Sequence, residues 1–197
     1  MEQMHAYKEK VVQKNAGGVK YLMNKNKIDV HFGHGRLAGK GKVSVEAADG
    51  KKTTLNAKNI ILATGSDTFH LPFIDMSSDR VMDSNDILEL QEVPEHLVVL
   101  GAGAVGTEFA SVFLRYGSKI TLIEMAPTVL PNEDADISAE AQKLFVRQGM
   151  KVLTSSKVTE VKATDKDVTL EVETEKDGKT TRQTIKASHV LVAVGRA

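Results

Sequence analysis

The sequence predicts an α/β chain, a Rossmann-like βαβαβ unit with an antiparallel β-meander on either side. Three observations predict it. Between residues 97 and 153 short apolar runs alternate with amphipathic stretches. Gly117 and Gly149 stand where the two helices should end, since the residue just past a last turn often needs positive φ. Both flanks show period-2 alternation around Asp-Gly turns. Each flank then leads into an apolar run that stops at a glycine, 59–63 before Thr64-Gly65-Ser66 and 190–194 at Gly195.

In chain order, residues 1–26 are expected to form a helix with Val12, Val19, Leu22 and Met23 on one face, weakened or kinked at Gly17-Gly18. The period changes over 28–63. Val43 and Val45 alternate with polar residues, Asp49-Gly50 supplies a hairpin turn, and 53–55 resumes the β pattern. The run 59–63 is expected to be a buried strand. Pro72 and the polar stretch 75–86 read as a connection, which puts a domain boundary near residue 75 and leaves domains of 1–75 and 76–197. Then come strand 97–100, helix 104–116, strand 119–124, helix 135–148 and strand 151–153. A second meander follows at 158–161, 168–172 and 181–185, with its turn at Asp177-Gly178, before the apolar strand 190–194. The two halves resemble a loose duplication without repeated sequence.

Composition narrows the function classes. Hydrophobic residues make up 41% of the chain, enough for a core. Lys plus Arg and Asp plus Glu balance at 26 each, so no net field draws the chain to nucleic acid or an anionic membrane. No window approaches the ~20 apolar residues of a spanning helix and no signal-type run lies near Met1, so a cytoplasmic location is expected, or the mitochondrial matrix in a eukaryote. There is no cysteine, which excludes disulfides, thiolate zinc ligands and thiol redox chemistry from these residues. His31 and His34 fall on opposite faces of an expected strand and no metal site is predicted. Glu133, Asp134, Asp136 and Glu140 complement a helix dipole, and Lys8, Lys10, Lys14 and Lys20 lie on a solvated face.

The stretch most specific for function is Gly101-Ala102-Gly103-Ala104-Val105-Gly106, between a strand and a helix, with Glu124 closing the next strand. A GxGxxG alone is weak evidence. In this setting Gly101 permits the tight reversal, Gly103 lets backbone approach a pyrophosphate, and Gly106 lets the helix pack on the strand. The helix amino terminus offers free N–H groups and partial positive charge to phosphates. Glu124 is placed to accept hydrogen bonds from ribose hydroxyls and to repel a 2′-phosphate, and Met125-Ala126-Pro127 contains no arginine to reverse that, so NAD is favoured over NADP. FAD is bound by the same fingerprint elsewhere, though such a motif commonly lies near a chain's start.

Three segments in fixed order, Lys58 to Ser66, Ser84 to Glu95 and Gly101 to Glu108, resemble the flavin disulfide reductase family, and most of all its dihydrolipoamide-oxidising members. The resemblance extends to 191–196. It implies a homodimeric enzyme serving the lipoyl domains of a 2-oxo acid dehydrogenase complex or glycine cleavage system, passing electrons through a redox disulfide and FAD to NAD. It matches Gly35, Thr64, Gly65 and Ser66 to FAD contacts. It matches Gly101, Ala102, Gly103, Ala104, Val105, Gly106, Thr107, Glu108, Glu124, Val158 and Gly195 to the NAD site, with Glu108 toward the nicotinamide. Plainer readings stand beside these: a strand-ending turn for 64–66, core for Val158, helix capping for Glu108. The family's Cys-x-x-x-x-Cys, an earlier GxGxxG and the His-Glu acid–base pair are absent, so the expectation is an internal segment, the tail of an FAD domain followed by an NAD domain. Other disulfide reductases, of the mercuric or glutathione type, and a non-catalytic NAD-binding module are the alternatives.

Overall fold

A computed structural model describes residues 1–197, which form two compact units, Glu2–Gly65 and Ser66–Ala197 with Met1. The division falls at Gly65 rather than near residue 75. Residues 67–69 pair with the chain end through Asp67 and Ala197, whose N–H groups each donate to the other's carbonyl at 2.8 and 2.9 Å, and Ile74 packs into the core of the second unit.

In the first unit α1 (Glu2–Lys25) is one helix that passes through Gly17-Gly18 without a break, because glycine weakens a helix but keeps its N–H donor. None of its residues is buried, and Val12, Val19 and Leu22 lie exposed. The meander is present as β1 (His34–Leu37), β2 (Lys42–Glu46) and β3 (Lys52–Asn56), paired antiparallel in that order, with Gly50 at φ +81° in the expected turn. The buried strand expected at 59–63 is not formed. The run has no pairing neighbour, and Ile61 is 91% exposed. An apolar run becomes a buried strand only where flanking strands take its N–H and C=O groups.

The second unit is built on a five-stranded parallel sheet of β4 (Val81–Met82), β5 (His96–Leu100), β6 (Lys119–Ile123), β7 (Lys151–Leu153) and β11 (His189–Val192), in the order β4-β11-β5-β6-β7. Helix α2 (Ala104–Arg115) joins β5 to β6, and α3 (Ala135–Arg147) joins β6 to β7. The crossover from β7 to β11 is an antiparallel sheet of β8 (Ser156–Ala163), β9 (Val168–Lys176) and β10 (Lys179–Ala187). Its tight turn takes positive φ at both Asp177 and Gly178.

Strand β5 shows why the sheet holds. Val98 and Leu100 pack with Val168, Leu170, Val172 and Ile185 of the meander, whereas Leu97 and Val99 pack with Ala110 and Phe113 of α2. One alternating run thus serves two cores, as a strand covered on both faces must. Each such side chain contributes about 1.5–3 kcal/mol by leaving water. The connection expected at 75–86 contains β4 and leads into a short 3-10 turn at Asp86–Glu89. Strand β11 ends at Val192 instead of 194, level with Leu100, the last residue of its neighbour β5 before the turn at Gly101.

Candidate functional site

The carboxyl ends of β5, β6 and β11 open into a cavity of about 590 Å³, within the size range of small-molecule sites. The glycine turn forms its floor. Gly101 has φ +96°, and a Cβ there would run into the Ala193 carbonyl of the chain leaving β11. At Gly106 a Cβ would overlap the Gly101 carbonyl oxygen and come within 3.3 Å of Val99, so α2 lies directly against β5. Gly103 differs: nothing lies within 4 Å of a Cβ built there. The protein's own packing therefore leaves space beside Gly103. Gly103 is also the N-cap of α2, and no side chain caps that helix, so its first N–H groups keep their capacity to bind an anion.

Glu124 follows β6 and is half-buried. Its Oε2 accepts the Ala102 N–H at 2.7 Å and its Oε1 accepts the Ala126 N–H at 2.8 Å. The carboxylate is thus fixed against the glycine turn, and each oxygen retains a lone pair for another donor.

Of the predicted positions, Gly101, Gly103, Ala104, Val105, Glu124, Val158 and Gly195 line this cavity. Ala102 and Gly106 are buried behind it. Thr107 is also buried, its hydroxyl donating to the Gly103 and Ala104 carbonyls at 2.9 and 3.1 Å and so engaged within the helix. Glu108 is exposed and lies beyond the first turn of α2, too far along to cap it. Gly35, Thr64 and Gly65 belong to the first unit, and Ser66, in the second, does not line the cavity. Gly35, Thr64 and Gly65 are exposed, and the Ser66 hydroxyl accepts the Arg196 Nε at 2.8 Å. These four positions show no cradle of the kind Gly101 and Gly106 make.

Sequence reasoning missed one wall. Thr68, Ser84 and Arg196 border the cavity, and Thr68 pairs antiparallel with Arg196. The Thr68 hydroxyl donates at 2.7 Å to Asp83 Oδ2, while Asp83 Oδ1 accepts the N–H groups of Asn85 and Asp86 at 2.7 and 3.0 Å. Burial acts to raise the Asp83 carboxyl; the Asp86 amide, the Thr68 hydroxyl and the Asn85 amide outweigh it and hold the carboxyl below its ordinary value. The sequence signals for this wall were indirect: Ser84 opens the second of the three family-like segments, and Arg196 directly follows Gly195.

Comparison with known proteins places these features. The family model described as pyridine nucleotide-disulphide oxidoreductase matches residues 1–197, and the chain belongs to that family. Within it, the chain is 42% identical over 196 residues to dihydrolipoyl dehydrogenase 3 of Pseudomonas putida, covering all of this chain and 42% of that protein. It is 36% identical over 203 residues to dihydrolipoyl dehydrogenase of Bacillus subtilis, covering 99% of this chain and 42% of the relative. The chain therefore spans less than half the length of these relatives. Among solved structures, the HOCl-induced flavoprotein disulfide reductase RclA of Escherichia coli superposes with a TM-score of 0.70 at 28% identity, over 95% of this chain and 42% of that one. LpdA of Mycobacterium tuberculosis, at 24% identity, shares the fold with a TM-score of 0.85 over 99% of this chain and 42% of its own. No helix is long and apolar enough to cross a membrane.

Proposed function

We propose that the second unit, Ser66–Ala197, in which the expected 76–197 domain falls, is the NAD-binding domain of a dihydrolipoamide dehydrogenase, and that the first unit, Glu2–Gly65, belongs to its FAD domain. The observation that carries this reading is Glu124, a carboxylate held by backbone amides against an uncapped helix terminus, with open space beside Gly103. Phosphates meet the N–H groups of α2, and ribose hydroxyls meet the remaining lone pairs of Glu124. A 2′-phosphate would meet the same negative charge. NAD, when bound, supplies the hydride acceptor of the reaction. The residues of this chain bind it, orient it and exclude water from the cleft. In the whole enzyme, a homodimer serving lipoyl domains, dihydrolipoamide is oxidised at a disulfide and electrons reach NAD by way of FAD. The 197 residues hold no thiol, so no dithiol oxidation is expected of them alone.

The test is titration of the chain with NADH and NADPH. NADH is expected to bind more tightly, and Glu124→Arg to narrow or reverse the preference. The substitution also removes the acceptor for Ala102 and Ala126, so NADH affinity falls as well. Equal affinities for the two nucleotides in the unmodified chain would defeat the reading.

A further inference from the structure

We propose that Ser138 and Leu130 are positioning residues for the phosphate-binding turn, an inference that rests on the NAD reading above. Ser138, in the first turn of α3, is 1% exposed, and its hydroxyl donates to the Leu130 carbonyl at 2.9 Å. The Glu133 N–H donates to the same oxygen at 3.0 Å. Between these anchors and Pro131, Leu130 holds φ +48°, a left-handed conformation that is costly for a bulky side chain. In that conformation its N–H donates to the Ala102 carbonyl at 2.8 Å.

The Ala102 carbonyl and the Gly103 N–H belong to one planar trans peptide, so they point in opposite directions. Fixing the carbonyl on Leu130 aims the Gly103 N–H away from Leu130, and Gly103 borders the cavity. The preceding peptide is held separately, through the Ala102 N–H on Glu124. Both peptides flanking Ala102 are therefore set before any ligand arrives, one by the residue that faces the ribose and one by a relay that starts at a buried serine on another helix. The strained Leu130 backbone is kept in place by its three hydrogen bonds, and what it holds is the orientation of a phosphate donor.

The experiment is calorimetric titration of the 197-residue chain and of Ser138→Ala and Ser138→Thr with NADH and with adenosine. Ser138→Ala is expected to weaken NADH about fivefold, the loss of one ordinary hydrogen bond, and to leave adenosine binding unchanged because adenosine carries no phosphate. Ser138→Thr restores the donor and is expected to recover NADH affinity. A role confined to stability would lower the melting temperature without separating the two ligands. NADH affinity within twofold of the unmodified chain in Ser138→Ala overturns the inference and leaves the NAD reading standing, whereas no NADH binding by the unmodified chain overturns both. A second measurement needs no variant. The Gly103 amide resonance of the labelled chain is expected to shift on adding NADH, and an unmoved resonance overturns the inference even if Ser138→Ala does not fold.

Discussion

Gly103 and Gly106 share one turn and answer to different neighbours. Gly106 is confined by the Gly101 carbonyl and Val99, so Gly106→Ala must push α2 off β5. We expect it to cost about 1–3 kcal/mol of stability, read as a lower urea midpoint, and to take nucleotide binding with it. Gly103 has no protein atom near a Cβ position, so Gly103→Ala is expected to unfold within ~0.5 kcal/mol of the parent. Its NADH affinity should nevertheless fall by about tenfold or more, equivalent to ~1.4 kcal/mol of lost approach. An alanine at 103 that bound NADH normally would show that the open space there is not where phosphate lies. The glycine spacing was legible in the sequence, as was Glu124. The attachment of Glu124 to Ala102 was not, because a hydrogen bond between the ends of two parallel strands has no signature in either strand alone.

At the scale of elements, the alternation β5-α2-β6-α3-β7 could be read because every boundary carried a local marker, a period change or a glycine stop. Strand β4 could not: it is two residues in a polar stretch, and only its pairing with β11 makes it a strand. The run 59–63 failed in the opposite direction, apolar enough for a strand yet without a partner. The amino ends of β5 and β11 carry a further consequence. His96 Nδ1 donates to the Lys186 carbonyl at 3.1 Å and its Nε2 lies 2.9 Å from the Thr121 hydroxyl. Burial first, and then the Lys119 charge, holds its pKa below the ordinary histidine value. Burial and then Arg80 do the same for His189. The unfolded chain takes up protons on both rings near pH ~6.5 and the folded chain does so only at lower pH. Their contribution is therefore complete above that pH and is lost as pH falls through it toward the folded values. The urea midpoint is expected to drop between pH ~7 and ~5, and His189→Gln to flatten the drop. A slope unchanged by that substitution would remove His189 from the account.

Over the whole molecule, stability is unevenly distributed. Both core clusters draw their buried residues from the second unit, while α1 buries nothing and 59–63 stands unpaired. Brief trypsin treatment is accordingly expected to cut first at the lysines of α1, leaving a product that contains Ser66–Ala197, folds and binds NADH like the parent. Earlier cleavage after Lys119 in β6 or Lys151 in β7 would contradict this distribution. Sheet order adds a constraint in time. Strands β4 and β5 are not paired with each other; β11, more than a hundred residues beyond β4, lies between them and carries onward the Ala193 carbonyl that crowds Gly101. Pairings across so much chain are slow to form, because a long loop must close before they are rewarded. The cleft can acquire its shape only when β11 inserts. In refolding, recovery of NADH binding should therefore trail the recovery of helix signal, with nucleotide competence the last property the chain regains.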